Sequence, residues 1–210
     1  MVLVTAGLMV VLDVGVTLAW KEPVSSLYGA LKQIGVEDEV AALEADFPEA
    51  EGPTPAALRR DAARLARRLA AEAGQGEGIG RIRIPAIGAE YALVEGTDPG
   101  ALRQGPGHYS ATDLPGAGGT VGVAGHRTTY LAPFREIDQL EGGDEVIVEM
   151  PYATLVYSVD DARVVAPTQV GIVRQRKHER LVLTACHPLY SDTERYAVFA
   201  DLDRVEPAAR

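Results

Sequence analysis

The chain has a single cysteine, Cys186, among its 210 residues. One cysteine cannot form an internal disulfide, and it supplies one ligand where a structural zinc site needs several. Positive charge is also scarce, since 20 lysines and arginines face 30 aspartates and glutamates, for a net charge of −10. A general nucleic-acid binder carries a basic face, so this class is disfavoured. The chain also lacks an internal repeat, a glycine-rich phosphate loop and a run of metal ligands. We therefore expect no metal site, no cofactor and no nucleic-acid partner.

An apolar segment, residues 1–20, carries one charged side chain, Asp13. About 20 such residues span the hydrocarbon core of a bilayer, although a lone carboxylate there costs roughly 2.5–3.5 kcal/mol. A cleaved signal peptide and a buried helix are the alternatives. An uncleaved anchor is favoured, because no basic stretch precedes the segment and no small-residue cleavage site follows it. Residues 1–20 are therefore predicted to be a single-pass transmembrane helix that anchors an extracytoplasmic domain. Lys21 and Lys32, which follow the segment, point to the opposite orientation under the positive-inside rule.

Residues 21–78 have the composition of a stalk or linker. Prolines and glycines interrupt this segment repeatedly, and it contains an acidic patch. One amphipathic helix is predicted at about 55–73, because alanine, leucine and arginine dominate that stretch and Thr54 suits its N-cap. The arginines of this helix would face solvent or lipid head groups. Its apolar face consists of Leu58, Leu65 and Leu69.

From Ile79 onward the hydrophobic pattern has a period of two, which is typical of β-strands. Short β-branched runs alternate with turns rich in glycine, proline and aspartate. Seven or so strands with little helix between them predict an all-β fold, an antiparallel barrel or sandwich, for residues 79–210. The predicted strands are 79–84, 89–95, 119–124, 144–150, 154–165, 180–185 and 195–205.

Three polar side chains at the ends of predicted strands form the candidate site. Cys186 ends an apolar run, His126 follows a predicted strand beside a glycine, and Arg195 opens the last strand. A thiol, an imidazole and a guanidinium make a minimal set for covalent acyl transfer. The alternatives are an inert buried thiol, and a surface ion pair of Arg195 with Glu194 or Asp192.

The other histidines are weaker candidates. His187 adjoins Cys186 in sequence, but successive side chains of an extended segment point to opposite faces, so direct contact is not expected. His108 is expected to anchor a loop by hydrogen bonds, and His178 to be solvated in a charged run. The carboxylates considered for orienting the imidazole are Asp113 and Asp138.

The segment 182–186, VLTAC, resembles the TLxTC signature of sortases, with Val182 in place of the first Thr. The histidine 60 residues before the cysteine and the arginine nine residues after it match the same family. The tract 105–134, which contains His-Arg-Thr-Thr-Tyr, and the Cys-His-Pro at the nucleophile resemble class E sortases of high-GC Gram-positive bacteria, the actinobacteria. The resemblance covers roughly residues 79–205.

This resemblance implies a closed eight-stranded sortase-type barrel with the site at one end of strands four, seven and eight. Cys186 would attack the Thr–Gly carbonyl of a C-terminal LAXTG-like or LPXTG-like sorting signal on a secreted protein. His126 would protonate the leaving amine, and Arg195 would hold the substrate and its oxyanion. The acceptor would be an amine of a cell-wall precursor or a pilin lysine. The implied substrate-binding residues are Thr128, Tyr130, Thr184 and Ala185.

Two other functions stay open at the level of the sequence. One is a thiol L,D-transpeptidase or peptidase that acts on peptidoglycan, although residues 184–187 lack the SHGC-type segment of those transpeptidases. The other is a non-enzymatic exported β-domain that binds wall polymers or a partner protein, with an inert Cys186.

Overall fold

The computed structural model describes Thr5, Gly7 and residues 23–209 of the chain. The strands are β1 (Gly78–Ile84), β2 (Ala89–Glu95), β3 (Gly107–His108), β4 (Thr120–Ala124), β5 (Glu145–Met150), β6 (Ala153–Val165), β7 (Arg180–His187) and β8 (Glu194–Glu206). They close into a barrel in the order β1-β2-β3-β4-β7-β8-β6-β5, with β5 paired to β1. The closed eight-stranded barrel is therefore confirmed.

Two neighbouring strand pairs are parallel, β2 with β3 and β4 with β7, and the remaining pairs are antiparallel. The prediction of an antiparallel sheet is thus only partly right. The period of the hydrophobic pattern shows which side chains of a strand face the core. It carries no information about whether neighbouring strands are parallel or antiparallel. The two-residue strand β3 was not predicted, because two residues are too few to show a period.

Alternation along β7 decides which residues can form a site. Leu181, Leu183 and Ala185 are buried in the main core of the barrel. Val182 lies on the opposite face, in a separate cluster with Phe199 of β8. Because successive side chains of a strand point to opposite faces, Cys186 shares the outer face with Val182.

Within residues 23–209, three helices and three 3₁₀ turns accompany the barrel. The helices are α1 (Pro23–Asp46), α2 (Pro55–Glu72) and α3 (Pro99–Leu102), and the 3₁₀ turns are Pro85–Ile87, Ile137–Gln139 and Val170–Val173. The 24-residue helix α1 was not predicted from the sequence.

Helix α1 packs on the outside of β2. Val36 and Val40 are buried there in a small cluster with Ala92 and Val94. The side-chain amide of Gln33 accepts a hydrogen bond from the Ala92 N–H at 2.8 Å and donates to the Ala92 carbonyl at 3.2 Å. The Gln33 side chain therefore pairs with the backbone of β2 much as a neighbouring strand would.

Helix α2 occupies the region that was predicted to be helical. The Thr54 hydroxyl accepts a hydrogen bond from the Ala57 N–H at 3.2 Å and caps the helix. Its leucine face, Leu58, Leu65 and Leu69, is buried in the main core, whereas its arginines are exposed. The segment expected to be a stalk with one helix thus contains two helices that pack against the barrel.

The predicted membrane anchor at residues 1–20 lies outside the described residues, apart from Thr5 and Gly7. Within the part of the chain that the structure describes, no helix combines the length and the apolar character needed to cross a bilayer. The anchor and the three-part division of the chain at residues 20 and 78 stay predictions.

Candidate active site

Three neighbouring strand ends bring the predicted catalytic residues into one row. In the antiparallel pair of β7 and β8, Cys186 lies directly opposite Arg195. In the parallel pair of β4 and β7, Ala124 is aligned with Thr184. Two residues further along each segment come His126 and Cys186, so a continuation of this register predicts that they are neighbours. We call His126, Cys186 and Arg195 the catalytic row.

Two contacts beyond the last paired residues support this continuation of the register. The Gly125 N–H donates a hydrogen bond to the Thr184 carbonyl at 3.0 Å. One step past the row, Nη1 of Arg127 lies 3.1 Å from Nδ1 of His187. The two segments therefore stay side by side before and after the row.

Cys186 is a free, half-buried thiol at the end of β7. The five residues before it in the strand are all buried, so the chain emerges from the core at the thiol. This position fits a nucleophile better than an inert core residue, which would be enclosed on all sides.

His126 is half-buried at the start of the loop that follows β4. Burial lowers the pKa of its imidazole below the ordinary value of 6.5, and the positive charge of Arg103 lowers this pKa further. The ring of Tyr130 packs against the imidazole with 5.2 Å between the ring centroids. Thr128, the other loop residue predicted to bind substrate, lies between His126 and Tyr130 in sequence and is half-buried.

The loop after His126 contains consecutive left-handed residues. Tyr130, Leu131 and Ala132 have φ angles of 48°, 68° and 47°. Such conformations cost non-glycine residues roughly 1–3 kcal/mol each and occur preferentially at functional sites. Tyr130 is held by its neighbours, since the ring of Tyr28 from α1 lies 6.1 Å away and the guanidinium of Arg103 lies 5.9 Å away.

Arg195 is fixed by backbone carbonyl groups. Its Nη1 donates to the carbonyls of Asp192 and Glu194 at 2.8 and 2.9 Å. The expected alternative, an ion pair with the carboxylate of either residue, is not formed among residues 23–209. Within that range Nε and Nη2 of Arg195 have no hydrogen-bond acceptor, so the guanidinium has donors to offer to a substrate.

Of the residues predicted to bind substrate, Thr184 and Ala185 lie on opposite faces of β7. Thr184 is 3% exposed, and its hydroxyl shares a hydrogen bond of 2.8 Å with the hydroxyl of Tyr109. Ala185 packs in the barrel interior, so only its backbone can reach a ligand on the outer face. The Tyr109 ring lies against Gly122, where an added Cβ would be 2.6 Å from the ring. Tyr109 was missed at the sequence level, although it lies in the tract 105–134.

The remaining histidines take non-catalytic positions. His108 is 2% exposed, and its Nδ1 lies 2.8 Å from Glu95 Oε2 while its Nε2 lies 3.0 Å from the Asp113 carbonyl oxygen. It anchors a loop, as predicted. His178 is exposed.

Among residues 23–209, neither carboxylate considered for orienting the imidazole, Asp113 or Asp138, forms a hydrogen bond or ion pair with His126. The Asp138 carboxylate pairs with Arg127 at 2.5 Å, and Asp113 lies beside His108, whose Nε2 is 3.0 Å from the Asp113 backbone carbonyl oxygen. The described residues therefore hold a thiol, an imidazole and a guanidinium with no carboxylate on the imidazole. They also contain no group of three or more histidine, cysteine, aspartate or glutamate side chains arranged to hold a metal ion.

Comparisons with known proteins identify the family to which the chain belongs. The family model described as "Sortase domain" matches residues 82–203. Sortase D of Bacillus subtilis (strain 168) is 36% identical over 118 residues, which cover 56% of this chain and 57% of that protein. This chain thus spans little more than half the length of that relative.

Two solved structures extend the comparison. Sortase E1 from Streptomyces coelicolor, with a tripeptide in its active site, is 28% identical with a TM-score of 0.59, over 63% of this chain and 91% of that chain. A sortase D5 transpeptidase from Clostridium perfringens has a TM-score of 0.66 over 82% of this chain and 98% of that chain. Its 23% identity shows the shared fold alone. These relatives carry both class D and class E names, so they leave the class open. Because the family model matches more than half of the chain and the barrel is closed as the motifs implied, the chain belongs to the sortase family.

Proposed function

We propose that the protein is a membrane-anchored cysteine transpeptidase of the class E type. It cleaves a C-terminal LAXTG-like or LPXTG-like sorting signal between Thr and Gly and transfers the secreted protein to a cell-wall or pilin amine. The observation that supports this proposal is the register of three strands: Cys186 pairs with Arg195, and the last aligned pair of β4 and β7, Ala124 and Thr184, lies two residues before His126 and Cys186.

The reaction proceeds in two acyl transfers. The Cys186 thiolate attacks the Thr carbonyl carbon, and the negative charge on its oxygen is held by the guanidinium of Arg195. When the C–N bond to Gly breaks, His126 gives its proton to the leaving amine and a thioester remains. The acceptor amine then attacks the thioester and gives a proton to the neutral imidazole of His126, an amide bond forms, the C–S bond breaks, and the sulfur leaves as the thiolate.

The protonation states of Cys186 and His126 set the pH dependence of this reaction. The active form carries a thiolate and an imidazolium together, so the two groups titrate as a coupled pair. Burial and then Arg103 lower the pKa of His126, so the imidazolium is disfavoured in the folded protein. We therefore expect a bell-shaped pH profile.

The substrate is expected to lie on the outer face of β4 and β7. Thr184 and Tyr109 form a polar floor on that face, and Tyr130 lies beside the imidazole at one edge. Sortase E1 of Streptomyces coelicolor binds a tripeptide in its active site, which supports a peptide ligand here. Of the four residues predicted to bind substrate, Ala185 would contribute through its backbone only.

The location of the protein follows from the same proposal. The apolar segment 1–20 would anchor the chain, and the barrel would lie outside the cell membrane, where sorting signals and wall amines meet.

The test is a transfer assay with the full-length chain in detergent micelles. A shorter chain is unsuitable, because Val40 and Leu65 of the two packed helices are 0% exposed. LAXTG and LPXTG peptides are incubated with and without a glycine-rich amine, and products are identified by mass spectrometry. We expect cleavage after Thr and a Thr-amine product, both absent in Cys186→Ala. His126→Ala and Arg195→Ala should each lower kcat/KM by about 10²–10³-fold.

The same assay separates the other functions. Cleavage of muropeptides in place of sorting peptides would identify a peptidoglycan enzyme. A thiol that neither cleaves peptides nor reacts with alkylating reagents would indicate a binding domain. Circular dichroism of each variant shows whether a loss of rate comes with a loss of fold.

A further inference from the structure

A second set of side chains lies directly behind the catalytic row. The residues that follow the members of the row in sequence are Arg127, His187 and Tyr196. Successive side chains of an extended segment point to opposite faces, so these three lie on the side away from the row. We call them the reverse-face cluster.

The three members of the cluster contact each other and link three strand ends. Nη1 of Arg127 lies 3.1 Å from Nδ1 of His187. The rings of His187 and Tyr196 lie 5.8 Å apart, and the guanidinium carbon of Arg127 lies 6.0 Å from the Tyr196 ring centroid. Each residue of the catalytic row is thus followed in sequence by a residue that contacts the other two members of the reverse-face cluster.

Arg127 uses all three of its nitrogens. Besides the contact with His187, Nε donates to the Arg135 carbonyl at 3.1 Å and Nη2 lies 2.5 Å from Asp138 Oδ2. Arg127 is 2% exposed, and its charge is compensated by the carboxylate of Asp138, which lies at the surface. A lysine has one nitrogen and cannot reproduce a fork that points in three directions.

The contact between Arg127 and His187 also shows which of the two groups accepts the hydrogen bond. A guanidinium has only donors, so Nδ1 of His187 must be an acceptor.

We propose that Arg127 is a positioning residue that, through His187, holds the strand end bearing the imidazole at a fixed distance from the strand end bearing the thiol. His126 directly precedes Arg127 in the chain, and Cys186 directly precedes His187. A contact that fixes Arg127 against His187 therefore also fixes the backbone of His126 relative to that of Cys186. The inference rests on the proposed function of the catalytic row. Arg127 itself lies behind the row and touches no reacting atom.

The first variant is Arg127→Lys, which keeps the charge and removes the fork. A misplacement of about 1 Å costs roughly 10²-fold in rate, so we expect kcat for peptide cleavage to fall about 10²-fold with KM changed less than about threefold. The second readout is the pH profile of Cys186 alkylation by iodoacetamide, which follows the thiolate fraction. This profile should move from that of the wild type toward that of His126→Ala.

A matched control comes from the other end of β7. Arg180 also bridges strands, with Asp201 at 2.8 Å and Asp160 at 2.9 Å. Arg180→Lys should lower the thermal stability while leaving kcat and the alkylation profile unchanged. A change that merely loosens the barrel would affect the two arginine variants alike.

Two substitutions of the acceptor complete the test. His187→Asn retains a side-chain oxygen that can accept from Arg127, and we expect it to keep at least about a third of the wild-type kcat. His187→Leu removes the acceptor and should resemble Arg127→Lys. If Arg127→Lys does not fold, the comparison of these two His187 variants decides the question.

The inference is overturned if Arg127→Lys, or His187→Leu in its place, keeps the wild-type alkylation profile and kcat. A wild-type protein that cleaves no sorting peptide would refute the proposed function. The alkylation profiles would still show whether Arg127 holds the thiol and the imidazole together.

Discussion

Removal of the Tyr157 hydroxyl should destabilise the protein by about 1.5–3 kcal/mol at neutral pH, the usual range for a hydrogen bond to a charged group. Tyr157 is fully buried, and its hydroxyl donates to Glu179 Oε1 at 2.6 Å. Glu179 directly precedes β7, the strand that carries the thiol, and also accepts from the N–H groups of Gly116 and Gly118 at 2.7 and 3.0 Å. Tyr157→Phe removes one of three donors from a buried carboxylate and leaves the packing of the ring in place.

Tyr152 provides a matched control. It is fully buried as well, and its hydroxyl donates to the Pro115 carbonyl at 2.5 Å. This acceptor is neutral, so Tyr152→Phe should cost only about 0.5–1.5 kcal/mol. The two variants remove the same atom from the same core and differ in the charge of the acceptor.

The difference between the variants should depend on pH. Burial raises the pKa of Glu179 above its ordinary value of 4.5, while the bond from Tyr157 lowers it. A raised pKa in the folded state means that the stability contribution of Glu179 is fully present below pH 4.5 and is lost as the pH rises through the raised pKa. Tyr157→Phe raises this pKa further, so its cost should be larger at pH 7 than at pH 4. The cost of Tyr152→Phe should be the same at both.

Urea denaturation followed by circular dichroism at pH 7 and pH 4 measures these free energies. For a chain of this size, 1.5–3 kcal/mol corresponds to a fall in Tm of about 3–12 °C. If the two variants lose equal free energy of unfolding at both pH values, then Tyr157 does not donate its hydrogen bond to a charged Glu179.

Two further predictions concern the loop after β4. Arg103→Ala removes a positive charge and should raise the pKa of His126 toward 6.5, and an unchanged or lower value in an NMR titration would contradict the role of Arg103. Gly125→Ala would put a Cβ 2.5 Å from the buried ring of Phe134, so we expect a loss of about 1–3 kcal/mol in thermal unfolding. Gly142→Ala, where the nearest atom is 3.9 Å away, should change stability by less than about 0.5 kcal/mol, and equal effects at the two glycines would show that Gly125 is not constrained by packing.

The sequence predicted seven of the eight strands, because β-branched runs and turn residues are local signals. The sequence also predicted helix α2, because leucines that recur at helical spacing are likewise a local signal. Helix α1 escaped prediction because its buried face, Gly29, Gln33, Val36 and Val40, has only two strongly apolar members. Its attachment depends on the bonds of Gln33 to β2, which no local pattern encodes.

The residues of the candidate site could be predicted from the sequence because each lies at the end of a predicted strand. Cys186, His126 and Arg195 stand at strand ends in the sequence, and the register aligns them. The role of Arg127 could not be predicted, because its partners lie eight, 11 and 60 residues along the chain. Such partners meet only when the barrel closes.

The parallel pairing of β4 with β7 also affects when the site forms during folding. Residues 125–179 connect the two strands, and contacts between residues so far apart in sequence form slowly. The entropy of closing so long a loop is lost before the pairing compensates for it. On the proposed function, Cys186 therefore gains the imidazole of His126 as a neighbour only after β4 and β7 have paired.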